Sequence, residues 1–254
     1  MTMPSDRYLE GQHAVVTGGS RGIGAAIARA LGERGAKVTI MSRSVANDLD
    51  AEVTAITCDV TDAASITNAF AQATKLNGIV DVLVNNAGAA EGAPFATMTR
   101  DIWDRMISVN LTSTYACCAE VIPAMLTAKK GRIINIASTA GLRGYKTMTA
   151  YCAAKHGVVG LTRALALETA KHGITVNAVC PGYTDTDLTD GSVAHLAAVF
   201  KVTEDDARAM LVRTIPRGSL ITPAEVASAV SWLCAPEASA VTGIALPIAG
   251  GEVV

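Results

Sequence analysis

A tyrosine and a lysine four residues apart, Tyr151 and Lys155, have the spacing in this chain that most directly suggests chemistry. In a helix, positions i and i+4 lie on one face one turn apart, so the phenol and the ammonium group would be neighbours. A fixed cation nearby favours the phenolate form of a group whose pKa is otherwise near 10, which makes the pair a candidate proton relay. Such pairs are also common on solvated helix faces, so the spacing alone does not establish a site.

Ser138 ends the predicted strand that precedes this helix. Ligands of open α/β sheets bind at the edge where the carboxyl ends of parallel strands meet. A serine hydroxyl at that edge could bind a reacting oxygen beside the phenol. Ser138, Tyr151 and Lys155 therefore form one candidate catalytic set.

A glycine-rich turn follows the first predicted strand, where Thr17–Gly24 opens an Ala-rich helix. Glycines let the backbone turn sharply and approach a pyrophosphate, and the free N–H groups at the helix start donate to it. A glycine-rich turn alone can simply connect two elements, but a strand, a glycine-rich turn and a helix in this order are typical of dinucleotide binding.

The end of the second predicted strand indicates which dinucleotide is bound. In the general pattern, an acidic residue about 20 positions after the glycines binds the adenosine ribose hydroxyls. This chain has Ser42 followed by Arg43 there, and Arg21 lies in the glycine turn itself. A guanidinium group binds a phosphate dianion through two hydrogen bonds, whereas a carboxylate would repel it. We therefore predict NADP(H); the alternative is that Arg43 is only a solvated surface residue.

Short β-branched runs alternate with longer Ala- and Leu-rich stretches, which predicts an α/β fold with a mostly parallel sheet and helices on both faces. The predicted strands are 13–17, 37–41, 53–58, 80–85, 132–138, 175–180 and 243–248, and the predicted helices are 22–35, 63–76, 103–129, 150–172 and 225–233. Residues 185–217 break this rhythm and are predicted to be a helical flap beside the active site. No linker divides the chain, so we expect a single doubly wound Rossmann domain of about seven strands over residues 1–254.

Composition excludes several classes of protein. The chain has 254 residues, is 50% hydrophobic, and carries 21 Lys+Arg against 23 Asp+Glu, which indicates a packed fold without a basic footprint for nucleic acid. Residues 1–11 lack the features of a secretory signal, and no apolar run reaches the roughly 18 residues that span a bilayer. We therefore expect a cytoplasmic protein without a membrane partner. The six cysteines and four histidines show no metal-ligand spacing, which favours buried free thiols and no metal site.

Together these motifs resemble the classical short-chain dehydrogenases/reductases over almost the whole chain. The segments that match are Thr17–Gly24, Asn85–Gly88, Ser108–Asn110, Ser138 with Tyr151 and Lys155, Pro181-Gly182 with Thr186, and Gly250-Gly251. The resemblance implies hydride transfer between a nicotinamide and a carbonyl carbon, with Ser138 and Tyr151 binding the oxygen and Tyr151 delivering the proton. It also implies that Lys155 lowers the pKa of Tyr151 and that Asn110 anchors a water through which the proton is replaced.

The resemblance implies a cofactor site and an assembly as well. Asp59 with Val60 would contact the adenine, Asn86 the adenosine ribose, Lys155 the nicotinamide ribose, and Thr186 the nicotinamide or pyrophosphate. The full expected set of NADP(H) contacts is Gly18, Ser20, Arg21, Ile23, Ser42, Arg43, Asp59, Val60, Asn86, Ala87, Gly88, Tyr151, Lys155, Pro181, Gly182, Thr184 and Thr186. Members of the family are usually tetramers through the helices that are here 103–129 and 150–172, so we expect a homotetramer; burial of these helices within one domain is the alternative.

The substrate pocket is expected between residues 88–94, 139–150 and 185–217. Its small and apolar residues favour an apolar ketone or acyl chain over a sugar, namely Ala89, Ala90, Leu142, Met148 and Leu188. Relatives that oxidise free 3-hydroxybutyrate carry a glutamine, a histidine and a lysine where this chain has Ala90, Ala140 and Met148, which argues against a small free carboxylate. Three cations near the mouth are either phosphate or carboxylate contacts or surface residues: Arg143, Lys146 and Arg217.

The overall pattern is most similar to 3-oxoacyl thioester and polyketide-type ketoreductases. We therefore expect NADPH-dependent reduction of a 3-oxoacyl thioester to a secondary alcohol. One alternative is a dehydrogenase or reductase for another hydrophobic ketone or secondary alcohol. An alternative from a different class is a non-catalytic NADP(H)-binding sensor, which would not need the catalytic set. A methyltransferase would have no use for Tyr151 with Lys155.

Overall fold

The fold is built on a seven-stranded sheet, which a computed structural model describes within residues 7–44 and 53–253. The strand order is β3-β2-β1-β4-β5-β6-β7, and all neighbouring strands pair in parallel. The strands are β1 (His13–Thr17), β2 (Lys37–Ser42), β3 (Val53–Thr57), β4 (Val82–Asn85), β5 (Gly131–Ile136), β6 (Ile174–Pro181) and β7 (Ala245–Ile248). The predicted doubly wound sheet is confirmed, although β4 begins two residues later than predicted and β5 ends before Ser138.

Helices cover both faces of the sheet. They are α1 (Gly22–Glu33), α2 (Ala63–Asn77), α3 (Arg100–Ile107), α4 (Ser113–Ala128), α5 (Thr149–Thr169), α6 (Asp187–Phe200), α7 (Glu204–Val212) and α8 (Pro223–Cys234). Apolar side chains of α1 and α8 pack on one face around Val16 and Ile40, and those of α2 and α4 pack on the other around Val15 and Leu83. Because both faces are covered, the central strands are continuous apolar runs rather than alternating ones.

The predicted helix 103–129 is wrong as a single element. The chain forms α3, then a π-helical stretch over Ser108–Thr112, then α4. One extra residue enters the turn there, and such bulges are common at functional sites. The apolar periodicity does not reveal the insertion, because the stretch keeps a helical course on both sides.

The carboxyl ends of β1, β4, β5 and β6 meet at one edge of the sheet, which we call the carboxyl edge. The order of strands reverses between β1 and β4, the position at which parallel sheets of this kind open a ligand crevice. Residues 185–217 form two helices, α6 and α7, after β6 as predicted. The opposite edge, where the strands begin, we call the amino edge.

Within the described residues, no helix combines the length and apolar character needed to cross a membrane. The same part of the chain contains no group of three His, Cys, Asp or Glu side chains arranged to hold a metal ion. All six cysteines are buried and free, which confirms the prediction of buried thiols.

Candidate active site

Ser138, Tyr151 and Lys155 come together at the carboxyl edge. Ser138 caps a short 3-10 turn after β5, and its Oγ accepts the N–H of Ala140 at 3.1 Å. Tyr151 and Lys155 lie on neighbouring turns of α5, and Lys155 Nζ is 5.7 Å from the centre of the Tyr151 ring. Lys155 is buried, and its Nζ donates to the carbonyl of Ile136 at 2.9 Å.

Burial governs the protonation of this set. Burial raises the pKa of Tyr151 to about 12, and a hydrogen bond to Ser138 only partly opposes that rise. Burial also lowers the pKa of Lys155 to about 8, and its ammonium group donates to the carbonyl of Ile136. Tyr151 is accordingly a protonated phenol at neutral pH, which is the form that can donate to a substrate oxygen. That Lys155 lowers the pKa of Tyr151 stays a prediction.

Asn110 lies in the π-helical stretch and joins this set through Gly88. Its Nδ2 donates to the carbonyls of Ala89 at 2.9 Å and Met106 at 3.0 Å, and its Oδ1 accepts the N–H of Ala89 at 3.3 Å. A Cβ on Gly88 would lie 2.8 Å from Asn110 Oδ1 and 3.6 Å from Lys155 Nζ. Asn110 thus fixes the segment after β4 beside Lys155, whereas its anchoring of a water stays a prediction.

The glycine turn after β1 has a backbone that side chains could not adopt without strain. Gly18 and Gly22 have positive φ angles of 64° and 53°. A Cβ on Gly24 would overlap the carbonyl oxygen of Gly18 and approach Asn86 Nδ2 to 2.5 Å. Arg21 occupies the N-cap position of α1, and its side chain makes no capping hydrogen bond, so the N–H groups at the helix start are left for an anion to accept from.

Thr17, which ends β1, and Asn86, which follows β4, stabilise this turn through hydrogen bonds. Asn86 Nδ2 donates to the carbonyls of Thr17 at 2.9 Å and Gly18 at 3.1 Å. Thr17 Oγ1 accepts the N–H groups of Asn86 at 3.0 Å and Ala87 at 3.1 Å. Sequence reasoning includes Thr17 in the glycine motif but assigns it no contact, because its only signal was a polar residue that ends an apolar strand. Asn86, expected at the ribose, also holds the turn.

The predicted 2′-phosphate contacts lie at the same edge. Arg43 is exposed after β2, and its charge contributes, after two hydrogen bonds from Thr61, to lowering the pKa of Asp59. Arg21 is also exposed, but it pairs with Asp187 of α6 at 3.0 Å. An exposed pair of this kind contributes at most about 1 kcal/mol, so a phosphate dianion could displace it. That the turn, Asp59 and Arg43 bind the adenosine end of a dinucleotide stays a prediction.

The segment after β6 closes the crevice from the other side. Thr186 Cγ2 would lie 3.3 Å from a Cβ on Gly22, so this segment reaches the glycine turn. The hydroxyl of Thr184 is buried and donates to the carbonyl of Gly182 at 3.0 Å, which engages it within its own loop. The remaining predicted contacts lie at the carboxyl ends of strands, just after them, or at the glycine turn and the start of α1. They are Ser42 and Pro181, which end β2 and β6, Val60 and Ala87, which follow β3 and β4, Ser20 in the turn, and Ile23 in α1.

The loops predicted to line the substrate pocket are adjacent, but two of the cations near it are engaged. The N–H of Ala93 donates to the carbonyl of Thr147 at 2.8 Å, which joins segments 88–94 and 139–150. Arg217 pairs with Glu225 and donates to the carbonyl of Leu220, so its expected place at the mouth as a substrate contact is not supported. Arg143 contacts Glu252, while Lys146 is exposed.

A glycine cradle for an anion, a partly buried serine and tyrosine beside a buried lysine, and a parallel sheet that opens between them define a Rossmann-fold oxidoreductase site. The family model of the short chain dehydrogenases matches residues 12–197. The chain belongs to that family.

Relatives named for their activity match nearly the whole chain. A putative ketoacyl reductase of granaticin polyketide synthesis from Streptomyces violaceoruber is 43% identical over 249 residues, which are 94% of this chain and 92% of the relative. The 3-oxoacyl-[acyl-carrier-protein] reductase FabG of Vibrio harveyi is 40% identical over 249 residues, covering 96% and 98%. Among solved structures, an actinorhodin polyketide ketoreductase variant with NADPH has a TM-score of 0.90 and 38% identity, with 95% and 97% covered.

Proposed function

We propose that this protein reduces a 3-oxoacyl thioester to the corresponding secondary alcohol with NADPH. The observation that carries the proposal is the placement of the Tyr151 phenol beside Ser138 and Lys155, at the edge of the sheet where the glycine cradle lies. The relatives named ketoacyl reductase and 3-oxoacyl reductase support the same reaction class.

The residues at the carboxyl edge fit a phosphorylated dinucleotide. Gly18, Gly22 and Gly24 leave the backbone room that a Cβ would fill, and the start of α1 offers N–H donors to a pyrophosphate. Arg43 and Arg21 supply guanidinium groups for a 2′-phosphate. When bound, NADPH supplies a hydride to the carbonyl carbon of the substrate.

The chain's own residues manage the negative charge that grows on the substrate oxygen. Ser138 and Tyr151 are placed to donate hydrogen bonds to it, and such donors stabilise the developing charge. Tyr151 transfers its proton, so the ketone gains one hydride and one proton and becomes an alcohol. Lys155, whose pKa is about 8, can return a proton to Tyr151 near neutral pH. Asn110 holds Ala89 and Gly88 next to that lysine.

We further propose that residues 185–217 act as the substrate flap of a single domain spanning residues 1–254. Tyr183 lies in the loop after β6. It packs against Val193, Ala207 and Leu211, a cluster that joins α6 to α7. This contact couples the flap to the neighbourhood of Tyr151, because Tyr183 is close enough to affect the pKa of Tyr151. A flap attached there can exclude water once a substrate is bound.

We also propose that the protein is cytoplasmic and that it forms a homotetramer through α4 and α5. On α4, Cys117 and Val121 are buried against the sheet, whereas Ala119 is exposed. Tyr115 on α4 and Leu167 on α5 are 61% and 84% exposed, which leaves apolar surface for a partner subunit. Light scattering on a sizing column should give four times the chain mass, and Leu167→Asp should shift it to smaller species; a monomeric wild type would contradict this assembly.

The reaction is tested by following NADPH absorbance with three matched ketone classes. These are an acetoacetyl thioester of pantetheine or coenzyme A, a hydrophobic free diketone, and free acetoacetate. We expect turnover with the thioester, weaker turnover with the diketone and none with acetoacetate. Preference for the free diketone would instead favour the second candidate, which is supported by the 30% identity and 0.90 TM-score of the levodione reductase structure. NADPH binding without oxidation by any ketone would indicate the sensor.

A further inference from the structure

Glu252, near the end of the described chain, is a buried acid that the reaction scheme does not use. Its side chain is only 1% exposed. One carboxylate oxygen, Oε1, accepts the hydroxyl of Tyr145 at 2.5 Å. The other, Oε2, is buried without a hydrogen-bond partner among the described residues. An unsatisfied buried carboxylate oxygen costs stability, so the fold alone does not account for this residue.

Glu252 holds the segment that follows Ser138. Arg143 Nη1 donates to the backbone carbonyl of Glu252 at 3.2 Å, and Arg143 Nη2 is 3.9 Å from Oε1. The guanidinium group also stacks 4.6 Å from the centre of the Tyr145 ring, and Tyr145 Oη is 2.7 Å from Thr139 Oγ1. The Glu252 carboxylate therefore fixes Tyr145 directly and Thr139 through Tyr145, while Arg143 is held mainly by the backbone carbonyl of the same residue.

The same carboxylate touches the loop after β6. A Cβ on Gly182 would lie 2.8 Å from Oε2, so the carboxylate rests directly on the Gly182 backbone. The N–H of Gly182 donates to the carbonyl of Ile248 at 3.1 Å, and the N–H of Arg217 donates to the carbonyl of Gly250 at 3.0 Å. The C-terminal strand end thus meets the loop after β5, the loop after β6 and the end of the flap at one point.

We propose that Glu252 is a positioning residue for the ketone substrate. It fixes Tyr145 and Arg143, and segment 139–148 thereby keeps the shape of the pocket wall. This proposal rests on the proposed ketone reduction. Among the proposed cofactor residues Glu252 contacts only the backbone of Gly182, and it does not contact the Tyr151 hydroxyl in the bonds described above. Its loss should therefore affect substrate binding rather than the chemical step.

The central test compares Glu252→Ala, Glu252→Gln and Tyr145→Phe in steady-state kinetics with the best ketone of the panel. We expect Glu252→Ala and Tyr145→Phe each to raise KM for the ketone by about tenfold, because a charge-assisted hydrogen bond is lost, with kcat within about threefold. NADPH affinity, measured by fluorescence titration, should change much less than KM, because Glu252 contacts only the backbone of Gly182 among the proposed cofactor residues. Glu252→Gln retains an acceptor for Tyr145 and should recover most of the KM lost in Glu252→Ala.

A double variant separates positioning from simple support of the fold. If Glu252 acts through Tyr145, the double variant that combines Glu252→Ala and Tyr145→Phe should have a KM no higher than that of Glu252→Ala alone, because the two substitutions remove the same interaction. Additive effects on KM would overturn the proposal. An unchanged KM with a lowered active fraction would also overturn it, because that result indicates general destabilisation. Glu33→Gln, at an exposed acid on α1, is the matched control and should match the wild type.

Hydrogen exchange of segment 139–148 provides a readout that needs no turnover. Glu252→Ala should exchange faster there than the wild type, whereas the Glu33→Gln control should not. Unchanged exchange would overturn the inference even if the enzyme is active. Faster exchange in a protein that reduces no ketone would overturn the proposed function and, with it, the substrate role of Glu252, while leaving the local contact established.

Discussion

The two edges of the sheet both bury polar and titratable side chains, but they use them differently. At the amino edge, His13 is 1% exposed and has both ring nitrogens paired: Nδ1 donates to the carbonyl of Gly78 at 2.9 Å, and Nε2 accepts from Thr39 Oγ1 at 2.9 Å. Thr39 in turn accepts from Asn77 Nδ2 at 3.0 Å. At the carboxyl edge, Tyr151 and Lys155 are buried with few partners, and Glu252 Oε2 has none among the described residues.

The difference shows which buried polar groups serve the fold and which are left for a ligand. A network whose donors and acceptors are all paired fixes the packing and gains little from a new partner. Groups that are desolvated but incompletely paired cost stability, and they are also the groups whose protonation and hydrogen bonds a substrate can change. Variants at the two edges should therefore have opposite effects on activity and stability.

The largest effect is expected from Tyr151→Phe at the carboxyl edge. Removing the proton donor should lower turnover by about 10²- to 10⁴-fold, with NADPH affinity and Tm largely kept. Steady-state rates, a fluorescence titration and a thermal melt measure the three quantities. Near-normal turnover would remove Tyr151 from the mechanism.

The matched variant is Tyr8→Phe at the amino edge, where the Tyr8 hydroxyl donates to the carbonyl of Ser231 at 2.8 Å. It should lose about 1 kcal/mol of stability and no turnover per folded molecule. If both tyrosine variants lowered turnover equally, the distinction between the edges would fail.

Arg43→Ala should have the next largest effect. Loss of the guanidinium group should lower the preference for NADPH over NADH by about 10- to 100-fold, because one or two charge-assisted hydrogen bonds to the 2′-phosphate disappear. The ratio of kcat/KM values for the two cofactors measures this preference. Arg29→Ala, at an exposed arginine on α1, is the control, and an unchanged ratio in Arg43→Ala would make Arg43 a surface residue.

His13→Leu tests the closed network directly. It leaves the carbonyl of Gly78 and the hydroxyl of Thr39 without this partner, which should cost about 1–3 kcal/mol in the free energy of unfolding. Activity per folded molecule should not change. Urea denaturation measures the cost, with exposed His195→Leu as the control; a loss of turnover without a loss of stability would place His13 among the functional groups instead.

The smallest effect is the pH dependence of the same network. Burial lowers the pKa of His13 from its ordinary 6.5. The unfolded chain therefore binds the proton first, so this contribution to stability is complete above about pH 6.5 and decreases as the pH falls toward the folded value. The decrease is at most about 1.4 kcal/mol per pH unit. The stability difference between wild type and His13→Leu should narrow between pH 7 and pH 5, and a constant difference would contradict the burial of a neutral imidazole.

Local pattern was sufficient for the elements and most of the catalytic set. The glycine turn, the Tyr151–Lys155 spacing and the alternation of strands and helices are short-range features, and the structure places them as predicted. The π-helical stretch at Ser108–Thr112 was not predictable, because one inserted residue hardly changes the apolar periodicity of a long helix. Sequence reasoning also did not predict that Arg217 pairs with Glu225, because a solvated arginine and a paired arginine near the mouth of the substrate pocket have the same local sequence pattern.

The sequence by itself determined the Rossmann architecture, the phosphate-binding turn and the residue types that can transfer a proton, because each depends on neighbours within a few positions. The tertiary structure decided which of those groups are desolvated and what they touch. Burial raises the pKa of Tyr151 to about 12 and lowers that of Lys155 to about 8, which spacing alone does not reveal. Glu252 meets Tyr145 across 107 positions of chain, and Asn86 braces Thr17 across 69. Contacts over such separations arise only when the parallel strands bring their carboxyl ends to one edge.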